Sequence, residues 1–427
     1  MNDQMNDDVL DAVIIGGGPA GATAATLLAR AGKRVRLFER SSGERFHVGE
    51  SLMPMTYNTF KRLGMLGKLK ASDFVRKYSV QFVTATGKET QPFYFFRRNP
   101  HESAVTWQVT RSAFDKMLLE NAAESGCEMA YDTQVTDVLF DGERAEGVRV
   151  RDADGEVRDV PARVVIDASG QSSIIANRLK LRRPYEYLKQ ASVWTYFKGA
   201  YRPPGIDAGA TVILSTEGKR GWFWYIPLAD DITSVGAVST REYLLGGGRK
   251  PADAFADLLA ECPNLQERLQ GAEQADDFRA TRDFSYATDR AAGDGWVLIG
   301  DAFGFLDPVY STGVLLALKS GEFAADAIVD GLSKGDLSAT QLGGWCDAHR
   351  RAIESFRRLV HAFYSYEFSV GRFIRQHPEH RDNLIDLLIG DVYKPGVDDI
   401  FAAMGELTPY DGSPPTRDPN STATVTA

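Results

Sequence analysis

The chain has 427 residues, 43% of them hydrophobic and 25% charged, with 49 Lys and Arg against 58 Asp and Glu for a net charge of −9. That balance excludes a nucleic-acid binder that works by neutralising phosphate, and the composition excludes a disordered chain, leaving two packed units or one large α/β core with an added sheet. Cys127, Cys262 and Cys346 form no C-x-x-C pair, Pro378 separates His377 from His380, no run of about 18 apolar residues occurs, and the start "MNDQMNDDVL" is polar and acidic; no disulfide framework, metal site or membrane contact is expected, and a soluble cytoplasmic protein is.

Residues Asp11 to Ile15 read as a short buried strand, followed by "GGGPAGATAATLLARAG", a glycine turn opening an Ala/Leu-rich helix that Gly32 closes. "RVRLFER" is then a second strand ending near Glu39. Gly16, Gly18 and Gly21 make G-x-G-x-x-G between strand and helix. The first suits a tight turn, the second lets backbone approach a pyrophosphate, the third lets helix and strand pack closely, and Glu39 stands where a ribose hydroxyl needs an acceptor. The spacing predicts dinucleotide binding.

The middle of the chain reads as mostly strand, through "QVTDVLF", "SVWTYFKGA" and "TSVGAVS", with one helix from Ser112 to about Ser125 carrying Phe114, Met117, Leu118 and Ala122 on one face. In "GWFWYIPL", strand alternation puts Trp222 and Trp224 on one face, Phe223 and Tyr225 on the other. "GWVLIGDAFGFLDPVYSTGVLLAL" is an apolar strand ending at Gly300-Asp301, then a loop with Pro308 and a new helix, and the chain is helical from Thr312 onward. Residues 410–427 are rich in Pro, Ser and Thr and read as a disordered tail.

The late Gly300-Asp301 and "RVVIDASGQSSIIANRL" resemble the FAD-containing monooxygenase superfamily. Within it, Trp222, Trp224, Ile226 and Pro227 match the W-x-W-x-I-P signature of the flavin-dependent halogenases. "FHVGESLMP", Phe46 to Pro54, looks like their G-E-S segment, and "FVRKYSVQF" sets Lys77 just before a strand, where that family carries its essential lysine; Arg76 is the rival for the position, and Lys61, Lys68 and Lys70 read as solvated charges. The fold this resemblance implies is α/β: a Rossmann-like FAD-binding domain of the aromatic-hydroxylase type, with an inserted antiparallel β-sheet substrate domain and a helical C-terminal region. The FAD core and substrate sheet would interleave over 1–330, the sheet lying mainly in 74–110 and 185–285, with the helical region at 331–409.

By the same resemblance FAD, used as FADH2, would be held by Gly16, Gly18, Ala20, Gly21, Glu39, Arg40, Glu50, Ser51, Arg111, Asp301, Pro308 and Gly313. Chloride or bromide would sit at the amides of Thr312 and Gly313, at a helix start. The tryptophan motif would screen substrate from the oxygen-activated flavin, and hypohalous acid would pass through a tunnel to Lys77. A separate NAD(P)H-dependent flavin reductase is the implied partner. A small aromatic compound is the implied substrate, free or carrier-protein-tethered. Tryptophan halogenases carry a glutamate just before S-T-G, whereas here Tyr310 stands in "DPVYSTG", so a phenolic or pyrrolic ring that activates itself is expected. The alternative, an FAD-dependent aromatic hydroxylase or related flavin oxidoreductase, explains the glycines but neither Lys77 nor the paired tryptophans.

Overall fold

The sequence LDAVII has no regular polar alternation because the strand Leu10–Ile15 is buried inside a parallel sheet. In the computed structural model, which describes residues 9–43, 47–97, 100–365, 368–408 and 410, this strand pairs in parallel with Val35–Phe38 on one side and Val157–Asp167 on the other. Trp296–Leu298 extends the sheet beyond Val157–Asp167, and Glu128–Ala130 extends it beyond Val35–Phe38. The glycine turn feeds the helix Pro19–Arg30, with Pro at its first turn and Arg30 in its last, both favoured positions.

The helix Gly313–Lys334 lies across Pro19–Arg30 at very short range. A Cβ at Gly321 would stand 2.6 Å from the carbonyl oxygen of Ala20, so only glycine permits this crossing. The contact ties the loop at Thr312 to the glycine turn. Both point into one cleft.

The second sheet runs in the order 273–274, 182–198, 232–240, 221–227, 211–215, 79–83, 93–94, with Arg279–Thr288 also paired to Arg182–Lys198. It is antiparallel except where Thr211–Ser215 meets Ser79–Val83. Trp222 and Trp224 do face one side, packed with Phe356, Leu359 and Val360 of the helix Cys346–Tyr364. Phe223 and Tyr225 face the other, against Phe255, Leu258 and Leu265. Those last three belong to the helices Pro251–Ala260 and Pro263–Arg268, which with Arg241–Leu245 and Ile174–Arg178 correct the expectation of a single helix in the middle of the chain. Ala254, Phe255 and Leu258 have helical spacing, and they supply the cover that one apolar sheet face requires.

Gly236 pairs with Trp224 in one neighbouring strand and Trp194 in the other. A Cβ there would lie 2.0 Å from the Trp224 ring, so this glycine is the slot that lets the indole lie flat across the sheet. Gly236→Val is expected to lower stability by about 2 kcal/mol or more, as overpacking against a fixed ring does, and urea unfolding measures it.

In the C-terminal region Val370–Gln376 ends before Pro378, and Arg381–Ile389 begins after it. The rings of His377 and His380 lie parallel to that of Phe373, as packing groups. Apart from Tyr410, the tail at 410–427 lies outside the described residues, as does Phe46. No helix among the described residues is long and apolar enough to cross a membrane.

Candidate functional site

Each glycine of the turn has a distinct steric reason. Gly16 has φ +100°, and a Cβ on it would lie 2.6 Å from the Ala168 carbonyl oxygen. A Cβ on Gly21 would lie 2.1 Å from the Gly16 oxygen. Gly18 meets no protein atom within 4 Å, so its missing side chain leaves space in the cleft itself. Glu39, at the end of the second strand, accepts the amide of Gly17 at 2.8 Å and that of Ser41 at 3.3 Å. On the opposite wall Asp167 accepts the amides of Ser169 and Ile175 at 3.0 and 2.8 Å, holding the "DASG" loop.

These walls enclose a cleft of about 840 Å³ that also includes Ala20, Arg40, Glu50, Ser51, Arg111, Asp301, Pro308 and Gly313. An elongated dinucleotide fits this set. Gly18 leaves a cradle that a Cβ would fill, beside the N-terminus of Pro19–Arg30, where amides and dipole suit a pyrophosphate. The Asp301 carboxyl is pushed up to about 6 by lost hydration, against the pull of Arg111. Arg111 is itself bound at both ends of its guanidinium by Asp115, at 3.0 Å each, and donates to the Val48 carbonyl at 2.8 Å. It therefore braces the segment before Glu50.

Lys77 ends a three-residue strand, Val75–Lys77, paired with Thr106–Gln108. Arg76 is exposed, whereas Lys77 is only 4% exposed. Its Nζ donates to Ser51 Oγ at 2.8 Å and to the Leu52 carbonyl at 3.2 Å, and lies 5.5 Å from the centroid of Phe95. Ser51 Oγ is 2.8 Å from Thr211 Oγ1, which also accepts Gln108 Nε2 at 2.8 Å. Burial without a carboxylate neighbour among the described residues lowers the Lys77 amine to about 7. Ser51 lines the cleft and Lys77 stands behind it. Phe95 also borders a second cavity of about 310 Å³, lined by Pro54, Met55, Ala104 and Ile389 and by the charged Asp386, Asp391 and Lys394.

Trp222, Trp224 and Ile226 form one wall of the main cleft. Trp224 Nε1 donates to Ser234 Oγ at 3.1 Å, and Trp222 Nε1 donates to the Tyr364 hydroxyl at 3.0 Å. Tyr364 in turn donates to Asp307 at 2.9 Å. Glu50 accepts the Tyr196 hydroxyl at 2.7 Å and also hydrogen-bonds Ser234, and its burial raises it above the usual carboxylate range. Thr312 caps the 22-residue helix Gly313–Lys334, whose first-turn amides lack intrahelical acceptors, and Thr312 Oγ1 is buried with no hydrogen-bond partner.

The structure thus gathers most of the sequence candidates around one cleft. Gly21 lies beneath it as a packing residue, and Lys77, Thr312 and Pro227 lie just behind its lining. Sequence reading missed Ser234, Tyr196, Thr211, Gln108 and Tyr364, which sit on different strands and helices. Only Asp307, inside the quoted "DPVYSTG", had a signal close to hand.

The family model described as Tryptophan halogenase matches residues 96–369, and that described as FAD dependent oxidoreductase matches 11–177. The chain is 30% identical over 409 residues to the 1H-pyrrole-2-carbonyl-[peptidyl-carrier protein] chlorinase of Pseudomonas fluorescens, covering 91% of each chain. It is 32% identical over 384 residues to the corresponding brominase of Pseudoalteromonas luteoviolacea, covering 89% of this chain and 91% of that one. The solved structure of flavin-dependent brominase Bmp2 superimposes with a TM-score of 0.84 at 31% identity, covering 93% of this chain and 98% of that one. With a Rossmann-type FAD cleft, a tryptophan wall and these relatives over nearly its whole length, the chain belongs to the flavin-dependent halogenases, oxidoreductases that use FAD and a halide.

Proposed function

We propose that this halogenase places chlorine or bromine on a phenolic or pyrrolic ring, ortho or alpha to its heteroatom, through Lys77. The observation that carries the reading is the buried Lys77 amine, hydrogen-bonded to Ser51 of the cleft lining and 5.5 Å from the Phe95 ring, which borders the second cavity. Reduced FAD, supplied by a separate NAD(P)H-dependent reductase, provides with oxygen the oxidising equivalent that turns halide into hypohalous acid. Gly16 and Gly18 would admit the pyrophosphate and Glu39 would take a ribose hydroxyl, with Asp301 and Arg111 also in the cleft lining. The amides of Thr312 and Gly313 hold the halide.

With its amine near 7, much of Lys77 is uncharged at neutral pH. The nitrogen lone pair takes the halogen from hypohalous acid and loses a proton, releasing water. The ring carbon then takes the halogen, the ring proton leaves, and the amine regains its hydrogen. The wall of Trp222 and Trp224 keeps the ring out of the main cleft, and the cavity beside Phe95 receives it. Tyr310 offers no carboxylate at the loop position, which favours a ring whose own oxygen or nitrogen stabilises the developing positive charge; the carboxylates that line the cavity beside Phe95 are Asp386 and Asp391. Two relatives that act on carrier-bound pyrrole support a tethered ring, and residues 1–330 and 331–409 are assigned as FAD-plus-substrate core and helical cover.

The test is an incubation with FAD, a flavin reductase, NADH, oxygen and bromide, offering phenols, free pyrrole-2-carboxylate, its carrier-bound thioester and tryptophan, read by mass spectrometry. Replacement of one ring hydrogen by bromine is expected on phenol or pyrrole, with tryptophan at least about tenfold poorer. Gain of oxygen instead, or regioselective tryptophan bromination with phenols and pyrroles untouched, would overturn the assignment.

A further inference from the structure

The tryptophan wall and the halide loop come from strands and helices far apart in the chain, yet one side chain touches both. Tyr364, at the end of the helix Cys346–Tyr364, accepts Trp222 Nε1–H at 3.0 Å and donates its own proton to Asp307 Oδ2 at 2.9 Å. The other carboxylate oxygen, Oδ1, accepts the amide of Val309 at 3.1 Å, so Asp307 caps the short turn Pro308–Tyr310. That turn leads through Ser311, at φ +59°, into Thr312 and Gly313. Asp307 is 1% exposed and Trp222 4% exposed, while Tyr364 between them is half-buried, so solvent reaches the two outer groups poorly. A phenol suits the middle position because it accepts and donates through one oxygen. Phe363, next to it, packs edge-on against Trp222 at 5.8 Å and against Tyr310 at 6.0 Å, so the helix end grips the wall and the loop by apolar contact too.

We infer that Tyr364 is a positioning residue that locks the Trp222 indole and the halide loop into one unit, so that halide binding and exclusion of substrate from the flavin side depend on the same hydrogen-bond relay. This rests on the assignment of Thr312 and Gly313 to the halide. Removing the Tyr364 hydroxyl takes the donor from Asp307 Oδ2 and the acceptor from the Trp222 indole, so the loop and the wall are no longer joined through one oxygen. The loop then presents its amides less well, and the wall leaks.

The experiment uses the protein loaded with oxidised FAD and titrates bromide while following the flavin absorbance, which needs no turnover. Tyr364→Phe is expected to weaken bromide binding about fivefold or more while flavin content stays at the wild-type level, since the hydroxyl it removes bonds Trp222 and Asp307 and not the glycine turn at Gly16 to Gly21. Trp222→Phe, which keeps an aromatic ring but lacks the indole N–H, should do the same, and the double variant should be no worse than the weaker single one. In turnover at subsaturating bromide, both should release more hydrogen peroxide per reduced FAD, and the halide KM of Tyr364→Phe should rise in step with its loss of bromide affinity. A bromide affinity unchanged in Tyr364→Phe, or two losses that multiply in the double variant, overturns the inference. Failure of the wild type to halogenate any ring, with the bromide titration behaving as described, would count against the proposed reaction and leave the relay standing.

Discussion

Lys77→Ala is expected to consume reduced FAD and oxygen at close to the wild-type rate and yet yield on the order of 100-fold less halogenated product. The lysine does not line the main cleft; Ser51 stands between, so its loss leaves the dinucleotide walls intact. On the proposed mechanism, what disappears is the nitrogen that takes the halogen toward the Phe95 cavity. The oxidant should then appear as free hypohalous acid, trapped by monochlorodimedone, or as hydrogen peroxide. Lys77→Arg should rescue poorly, because a guanidinium stays charged at any accessible pH. Normal product from Lys77→Ala would move the role to another group.

The same lysine makes a stability prediction with a definite sign. Its amine lies at about 7 when folded against 10.5 in the unfolded chain. Below pH 7 the ammonium is present in both states and its burial penalty is felt in full. Between pH 7 and 10.5 the unfolded chain binds more protons than the folded one, so this residue adds stability as pH rises, by an amount whose upper bound is about 5 kcal/mol. Lys77→Met, of similar length and uncharged, should be more stable than wild type at pH 6 and should flatten the pH dependence above 7. Product formation at saturating substrate should also climb as pH rises through about 7, as the uncharged amine becomes the major form. A wild-type minus Lys77→Met stability difference that is independent of pH would refute the lowered pKa.

Gly18→Val should fold normally and purify without bound flavin, its FAD affinity reduced about 100-fold or more. A Cβ at this position meets nothing within 4 Å, so the valine costs the apo-protein little and projects into the cleft where the pyrophosphate must lie against backbone. Gly21→Val is the matched control with the opposite result. Its Cβ would stand 2.1 Å from the Gly16 carbonyl oxygen, so the helix must move away from the strand and the protein itself should be destabilised. Far-UV circular dichroism with urea unfolding separates the two, and flavin fluorescence after gel filtration reads occupancy. Full flavin content in Gly18→Val would remove this turn from the cofactor site.

The sequence by itself determined what local spacing can encode. Gly16, Gly18, Gly21 and Glu39 announce a dinucleotide site because the turn and its acceptor are contained within one strand, helix and strand, about 25 residues of chain. The alternation in "GWFWYIPL" was enough to divide the aromatics between two faces, because strand geometry has a period of 2 whatever surrounds it. Lys77 could be singled out by motif resemblance, but its difference from Arg76 could not be, because adjacent strand residues point oppositely and only the packed neighbours tell which side is buried. The helices at 241–268 were hidden because an apolar face there became necessary only once Phe223 and Tyr225 had a sheet side to be covered. The links that make the site one object, Lys77 to Ser51 and Thr211, Trp224 to Ser234, Trp222 through Tyr364 to Asp307, join residues up to 160 positions apart. A hydrogen bond at such separation depends on donor and acceptor being brought within about 3 Å by the fold, and no local pattern records it. Residue type and spacing therefore named the chemistry, while the tertiary structure alone decided which lysine is desolvated, which glycine is open to the cleft, and which tyrosine holds the wall to the loop.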